Sequence, residues 1–346
     1  MTVRFAAPAE VDRWDELVSE NPNGGDFFQL AAFARIKQPR GWTPRYIIAG
    51  DTAILALEKR VFGLGRLWYC PQGTGARETS DLTAFLDDMR AFARSQGVFA
   101  VKIEPQLADT PETRQKLLDA GLQRSSDVQP TMSTIWLDLR PELDDIEASF
   151  NSKVRYNIRQ ARKGDVRCQL MPAEESTYRA FYELFTETAA GRFVIRPYEY
   201  YQRFWSEYCE SGHGFIMFAY DGEQLASADF IMTLGQKASR KDAGSTRRKT
   251  TRGIPALLVL ETIRELKKRG ITDYDLCGAP PSRHIKDKTH PLFGVGQFKA
   301  GFNSQVTDYV GTFLLPVRPG RAKIWQRGAE KLVRAAYYRL KHQAWY

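Results

Sequence analysis

The sequence has little of what builds disulfide frameworks or metal centres: 4 cysteines and 4 histidines in 346 residues. Cys70, Cys168, Cys209 and Cys277 are widely separated and form no Cys-x-x-Cys pair. A stapled scaffold is therefore excluded, a zinc site is not expected, and the thiols read as free and buried. No apolar run reaches the ~18 residues that a membrane-spanning helix requires. Met1-Thr2-Val3-Arg4-Phe5-Ala6 lacks the charged-then-apolar order of a secretory leader, so a cytoplasmic location is expected.

What is present points to a globular protein. Hydrophobic residues at 43% and aromatic residues at 12% suffice for packed cores, and charged residues at 26% are too few for a disordered chain. A mass of 39.5 kDa is large for one core, so two domains are expected. The formal net charge of +9 is unevenly placed. From Lys153 to Arg167 six basic residues meet one acid, from Lys237 to Arg252 seven meet one, and from Arg318 to Tyr346 eight face only Glu330. Three such clusters imply phosphate-bearing partners, either RNA or an anionic membrane surface. In the last cluster Ile324, Leu332, Val333, Ala336, Tyr337 and Leu340 recur at roughly helical spacing among basic residues, followed by Trp345 and Tyr346. That helix could dock on its own domain or rest on anionic headgroups with its aromatic residues at the interface.

Periodicity predicts an α/β (α+β) chain. A short strand at Val3–Phe5 precedes helices over 11–17 and 27–37, the second capped by Asp26. Strands over 45–49, 53–60 and 66–70 meander between glycine turns, a helix runs from Asp81 to Gln96, and a strand from Val98 ends at Glu104-Pro105. A further helix over 111–120 and a strand over 132–139 complete one unit. After a charged helical stretch to Gly164 the same plan returns, with strands over 166–170, 214–219 and 224–234, helices over 174–190, 197–209 and 254–268, and a last strand over 274–277. The halves share element order without convincing residue identity, so an internal duplication is a hypothesis.

Two glycine settings suggest sites. Arg252-Gly253-Ile254-Pro255-Ala256 opens a helix whose free N-terminal amides suit an anion or an acyl carrier. Gly296-Gln297-Phe298-Lys299-Ala300-Gly301-Phe302-Asn303 sets one cation among aromatic groups and glycines. It reads either as an ordinary loop with a solvated lysine or as a loop where a partner approaches closely.

Several segments in order resemble the Fem family of peptidoglycan aminoacyltransferases: Phe27-Phe28-Gln29 with Lys37; Val101-Lys102-Ile103-Glu104-Pro105; Phe150 to Ala161; Arg196 with Tyr200; Asp273-Tyr274-Asp275-Leu276-Cys277-Gly278; and Phe298-Lys299-Ala300-Gly301-Phe302. The resemblance covers nearly the whole chain. It implies two tandem acetyltransferase-like (GNAT) domains with mixed sheets flanked by helices, the first over 1–145 completed by 308–346 and the second over 146–307. The long charged heptad insertion that forms a helical arm in some members is missing. Where the family often has a tyrosine before a Gly-Ala-Ser-like turn, this chain has Ala238 to Ser245, where Arg240 or Lys241 could substitute as a phosphate contact.

The implied activity moves an amino acid from aminoacyl-tRNA onto an amine of the cell-wall stem peptide, on a lipid-linked or nucleotide-linked precursor. Its chemistry needs a neutral amine, a proton acceptor, and a cation or amides at the oxyanion, with no covalent intermediate. Lys299 is the expected oxyanion donor, with Phe298 as a stacking surface for the terminal adenosine and Glu104 as proton acceptor, unless the substrate itself carries the proton. Lys37, Arg196 and Tyr200 are carried over as contacts to the precursor's diphosphate. Lys153, Arg155, Arg159 and Arg162 are expected on the tRNA acceptor stem, where phosphate neutralisation matters more than base reading. No cofactor is expected beyond aminoacyl-tRNA as co-substrate. Expected partners are that tRNA, the precursor and, through the last basic helix, the inner face of a membrane. A monomer is expected. An acyl-coenzyme A-dependent enzyme of the same fold and a noncatalytic RNA- or membrane-binding protein remain as alternatives.

Overall fold

The computed structural model describes every residue except Pro130, Thr131 and Arg192. The chain divides into two compact units, Met1–Pro130 with Tyr309–Tyr346, and Thr131–Asp308.

The first unit holds a seven-stranded sheet in the order β1 (Val3–Phe5), β2 (Thr43–Ala49), β3 (Thr52–Val61), β4 (Gly65–Cys70), β5 (Val98–Ile103), β15 (Phe313–Pro316), β6 (Gln123–Arg124). β1 to β4 form an antiparallel meander. The chain then crosses over through the helix Leu86–Ser95, and β5 runs parallel to β4. Leu86, Met89 and Ala93 form the inward stripe of that helix. All six residues of β5 are buried, as the unbroken apolar run Val98 to Val101 requires of a strand covered on both faces. β15 lies antiparallel between β5 and β6, so residues from the end of the sequence complete the sheet.

The second unit repeats the plan in a six-stranded sheet ordered β8 (Trp136–Asp138), β13 (Asp273–Asp275), β12 (Lys237–Ser245), β11 (Gln224–Leu234), β10 (Gly214–Asp221), β9 (Val166–Met171). β9 to β12 are antiparallel neighbours, and β12 and β13 run parallel across the helix Ile254–Lys268. Ile254, Leu257, Leu258 and Ile263 of that helix are all buried in the core. A small ladder pairs β7 (Ser133–Thr134) with β14 (Thr307–Asp308).

Three expectations change. The strand expected over 132–139 does not close the first unit: β8 pairs with β13, Leu137 opposite Tyr274, inside the second sheet. The break in the chain accordingly falls near residue 130 rather than 145. The basic segment 237–252 is only partly a surface, because Lys237–Ser245 is an inner strand. The glycine-bearing segment around Lys299 is not a loop but the helix Phe293–Ala300.

Candidate active site

The glycines around Lys299 serve packing. A Cβ added to Gly296 would lie 2.5 Å from Pro280 Cδ, and one added to Gly301 would lie 2.5 Å from Val154 Cγ2. The partner that approaches them is the chain itself. This close packing buries Lys299 to 7% exposure. Its ammonium donates to the carbonyl of Gly278 at 2.7 Å and to that of Cys277. Cys277 and Gly278 are consecutive left-handed residues, with φ of +56° and +65°. For cysteine that conformation carries a steric cost of about 1–2 kcal/mol. Asp275 holds the turn: it accepts from the Cys277 N–H at 2.7 Å and from the Thr134 hydroxyl.

Charge around this ammonium is balanced inside the unit. Asp229 and Arg240 form a buried two-point pair, with Nε donating at 2.8 Å and Nη2 at 2.5 Å, from facing strands β11 and β12. Burial, with Arg240 nearby, pushes the Lys299 ammonium down to about 8, while Asp275 and Asp229 act in the opposite sense. Burial raises the Asp275 carboxyl against its hydroxyl, amide and Lys299 partners, and raises the Cys277 thiol. Phe298 packs edge-on to Phe302, ring centroids 5.2 Å apart, and lies under the Arg240 guanidinium at 5.6 Å.

Lys299 and Phe298 share their unit with Arg196 and Tyr200. The Arg196 guanidinium stacks 4.4 Å over the Tyr200 ring, at the start of the helix Tyr198–Glu210. The Tyr182 hydroxyl donates to the Arg196 carbonyl at 3.0 Å, fixing the backbone there. Lys241 follows Arg240 on β12. Its ammonium donates to Asp242 at 3.1 Å, and Asp242 also accepts from Trp205 Nε1 at 3.0 Å. Lys37 and Glu104 belong to the first unit. Lys37 ends the helix Ala31–Lys37 with its ammonium 4.9 Å over Phe33.

Glu104, expected as a proton acceptor, is fully buried and accepts from Tyr69 Oη at 2.6 Å, the Gln72 N–H at 3.3 Å and the Thr312 hydroxyl at 3.3 Å. Burial raises its carboxyl above the usual range while those donors oppose the shift. A carboxylate so enclosed serves as an anchor within the first sheet.

The basic helix Ser152–Lys163 splits into two faces. Arg155 donates at 2.6 Å to the carbonyls of Ala148 and Phe150, and Arg162 forms a fork with Glu147 at 2.8 Å to each oxygen. Both bracket this helix to its neighbour Leu143–Ser149, Arg155 half-buried and Arg162 with its side chain 42% exposed. Lys153, Arg159 and Lys163 stay exposed on the other face with Tyr156. Arg252 joins them, its guanidinium 5.3 Å over the Tyr156 ring and its Nε donating to Asn157 at 3.1 Å. Gly253, read as the opening of an anion site, has a packing reason too. A Cβ there would lie 2.0 Å from the Asn157 carbonyl oxygen, so only glycine admits this helix so close.

Asp229 and Asp242 escaped the sequence reading. Asp229 is a lone acid inside Ala226–Met232, an otherwise apolar run apart from Ser227, and the strand that pairs with it carries the adjacent bases Arg240 and Lys241; that combination was the available signal. A groove of about 470 Å³ opens in the same unit between Leu137–Asp138, the helix Leu143–Ser149 and residues 300–304, and Lys299 does not line it. Among the described residues no group of three or more His, Cys, Asp or Glu is placed to hold a metal ion.

Two mixed sheets, each an antiparallel meander followed by a helix and a parallel strand, define a tandem acetyltransferase-like protein. A tandem GNAT protein from the clavulanic acid biosynthesis pathway shares the fold with a TM-score of 0.50 at 14% identity, over 91% of this chain and 98% of that one. The crystal structure of FemX superposes with a TM-score of 0.79 at 17% identity, covering 94% of this chain and all of that one. Residues 119–222 and 219–328 match the FemAB family, and the chain belongs to it. It is 25% identical over 218 residues to the lipid II:glycine glycyltransferase of Staphylococcus aureus (strain MRSA252). That match takes in 57% of this chain, which spans about half the length of the relative.

Proposed function

We propose that this chain is an aminoacyltransferase that moves an amino acid from aminoacyl-tRNA to an amine of a peptidoglycan precursor's stem peptide. The observation that carries the reading is the Phe298–Lys299 pair in a FemAB-family chain, with a nearly dry ammonium fixed on two consecutive carbonyls. A neutral amine of the stem peptide attacks the ester carbonyl, and a C–N bond forms as the ester C–O bond breaks. Lys299 stabilises the oxyanion and then the departing ribose oxygen, which takes the proton that the amine releases. With Glu104 enclosed, that proton passes within the substrate pair rather than through a side-chain base. The reaction as written needs no cofactor.

Arg196 and Tyr200 are assigned to the anionic end of the precursor, where a guanidinium held flat by an aromatic ring presents its fork to phosphate oxygens. The exposed face Lys153, Tyr156, Arg159, Lys163 and Arg252 is assigned to the acceptor stem of the tRNA.

The test offers the purified protein a pool of charged tRNAs and, in parallel, acyl-coenzyme A, with a lipid-linked or a nucleotide-linked stem peptide as acceptor, and reads the acceptor's mass. A gain of one aminoacyl residue from charged tRNA alone is expected. A gain only from acyl-coenzyme A, or none from either donor, overturns the reading.

A further inference from the structure

The helix Glu330–Lys341 does not bury the face that its sequence pattern suggests. Its inward side carries Glu330, whose carboxylate pairs with the fully buried Lys102 and accepts from the Tyr346 hydroxyl at 2.7 Å. Trp345 and Tyr346, placed on their own domain in one of two readings and at headgroups in the other, are 6% and 5% exposed. They pack on Trp42 with ring centroids 5.0 and 5.9 Å away, because their rings fill the core beside β3 and β4. Leu332 and Leu340 are left 71% and 78% exposed, with Ala336 between them one turn from each, and Tyr338 is 57% exposed. Ile324, in the preceding helix, is 56% exposed.

We propose that this outward ridge, Leu332–Ala336–Leu340 with its basic flanks, is a docking surface for an anionic lipid bilayer. Isolated apolar side chains on a surface are ordinary. Here two leucines in line stand inside a field of one sign. Lys331, Arg339 and Lys341 are exposed on the same helix, Lys323 and Arg327 are exposed in the segment before it, and the one acid of residues 318–346 is turned inward and neutralised by Lys102. Cations that reach headgroup phosphates while aliphatic side chains enter the acyl boundary match both halves of that surface. A nucleic acid backbone would use the cations and leave the leucines in water. Among the described residues no helix is long and apolar enough to cross a membrane, so the contact is peripheral. It stands independently of the proposed activity and would hold the protein where a lipid-linked acceptor lies.

Flotation of the purified full chain tests it, with vesicles of phosphatidylcholine alone and vesicles containing phosphatidylglycerol, at about 0.1 M and about 0.5 M salt. The chain is expected to float with the anionic vesicles at low salt and to be released at high salt. Reversing Lys331→Glu with Arg339→Glu should weaken binding at least ~tenfold. The charge-neutral pair Leu332→Ser with Leu340→Ser should weaken it severalfold at unchanged net charge. Thermal midpoints and far-ultraviolet circular dichroism like the parent's would show that these exposed changes leave the fold intact. Failure to float with anionic vesicles, or full binding by the leucine variant, overturns the proposal. So does a charge-reversed variant that loses tRNA binding but keeps vesicle binding. Turnover on a water-soluble, nucleotide-linked acceptor is expected to be unchanged in all of them, which separates this contact from the catalytic reading.

Discussion

Lys299 is held as a cation by two carbonyls while burial acts against its charge. Because burial pulls its ammonium down to about 8 from an ordinary 10.5, the charged form is lost within reach of mild alkali. The sign follows directly: between about 8 and 10.5 the unfolded chain binds a proton that the folded chain has released, so Lys299 opposes folding at neutral pH and that penalty is relieved as pH rises through this window. Catalysis runs the other way, since a neutral amine cannot stabilise an oxyanion. Single-turnover transfer should therefore fall on an alkaline limb near pH 8. In Lys299→Arg, whose cation persists, that limb should vanish even if the rate is lower. Lys299→Met should lower kcat by about a hundredfold to a thousandfold with the precursor's Kd kept. A flat pH profile in the parent protein would remove Lys299 from the mechanism. Glu104 gives the contrasting case. Glu104→Gln keeps an acceptor for Tyr69 and should transfer at nearly the parent rate, whereas a general base would lose about a hundredfold or more. Glu104→Ala strands up to three buried donors at about 1–3 kcal/mol each and should lower the thermal midpoint sharply.

The helix Ser152–Lys163 shows how an element divides one chemical type between two tasks. Arg155 and Arg162 are engaged with the preceding segment, Arg162 in an exposed ion pair with Glu147, whereas Lys153, Arg159 and Lys163 are exposed on the same helix. Lys153→Glu with Arg159→Glu should raise the KM for charged tRNA. The pair should also flatten the salt dependence of tRNA binding by about one unit of log–log slope for each phosphate no longer neutralised, with the thermal midpoint unchanged. Arg162→Glu, which sets two carboxylates together, should instead lower the midpoint and leave the salt slope alone. Equal effects of both changes on tRNA and on stability would reject the division. The sequence reads as one charged helical stretch up to Gly164, whereas the chain breaks it at Phe150–Asn151, where the Asn151 side chain caps the second helix by accepting from the Val154 N–H at 2.8 Å. Periodicity does not tell the two kinds of arginine apart, because helix spacing shows which residues share a face and not which neighbour covers that face. The Lys299 segment reads as a loop for a related reason. Gly294, Gly296 and Gly301 lower helix propensity, and only Pro280 and Val154 show that two of them are points of close packing rather than hinges.

Across the whole chain, the first unit depends on residues far apart in sequence. β15 lies between β5 and β6, and Trp345 and Tyr346 close over Trp42 and Tyr69. A chain ended at residue 308 would expose the edge of β5, which is entirely apolar over Val98–Val101. Such a truncation is expected to lose the cooperative unfolding of the first unit and to aggregate. Hydrogen exchange should find its β2–β5 amides unprotected, and retained protection there would count against this dependence. The sequence by itself determined the meander, helix and parallel strand over 45–104, the apolar stripes of the main helices and the membership that the Phe298–Lys299 and Asp273–Gly278 segments carry. Those properties are local, set by side-chain period and by short runs of residues. Tertiary structure alone decided that β8 belongs to the second sheet, that Asp229 balances Arg240, that Glu104 is sealed off, and that Leu332 and Leu340 face outward. Each depends on which distant segment covers a given side chain, and burial of that kind is a property of packing that no spacing along the chain encodes.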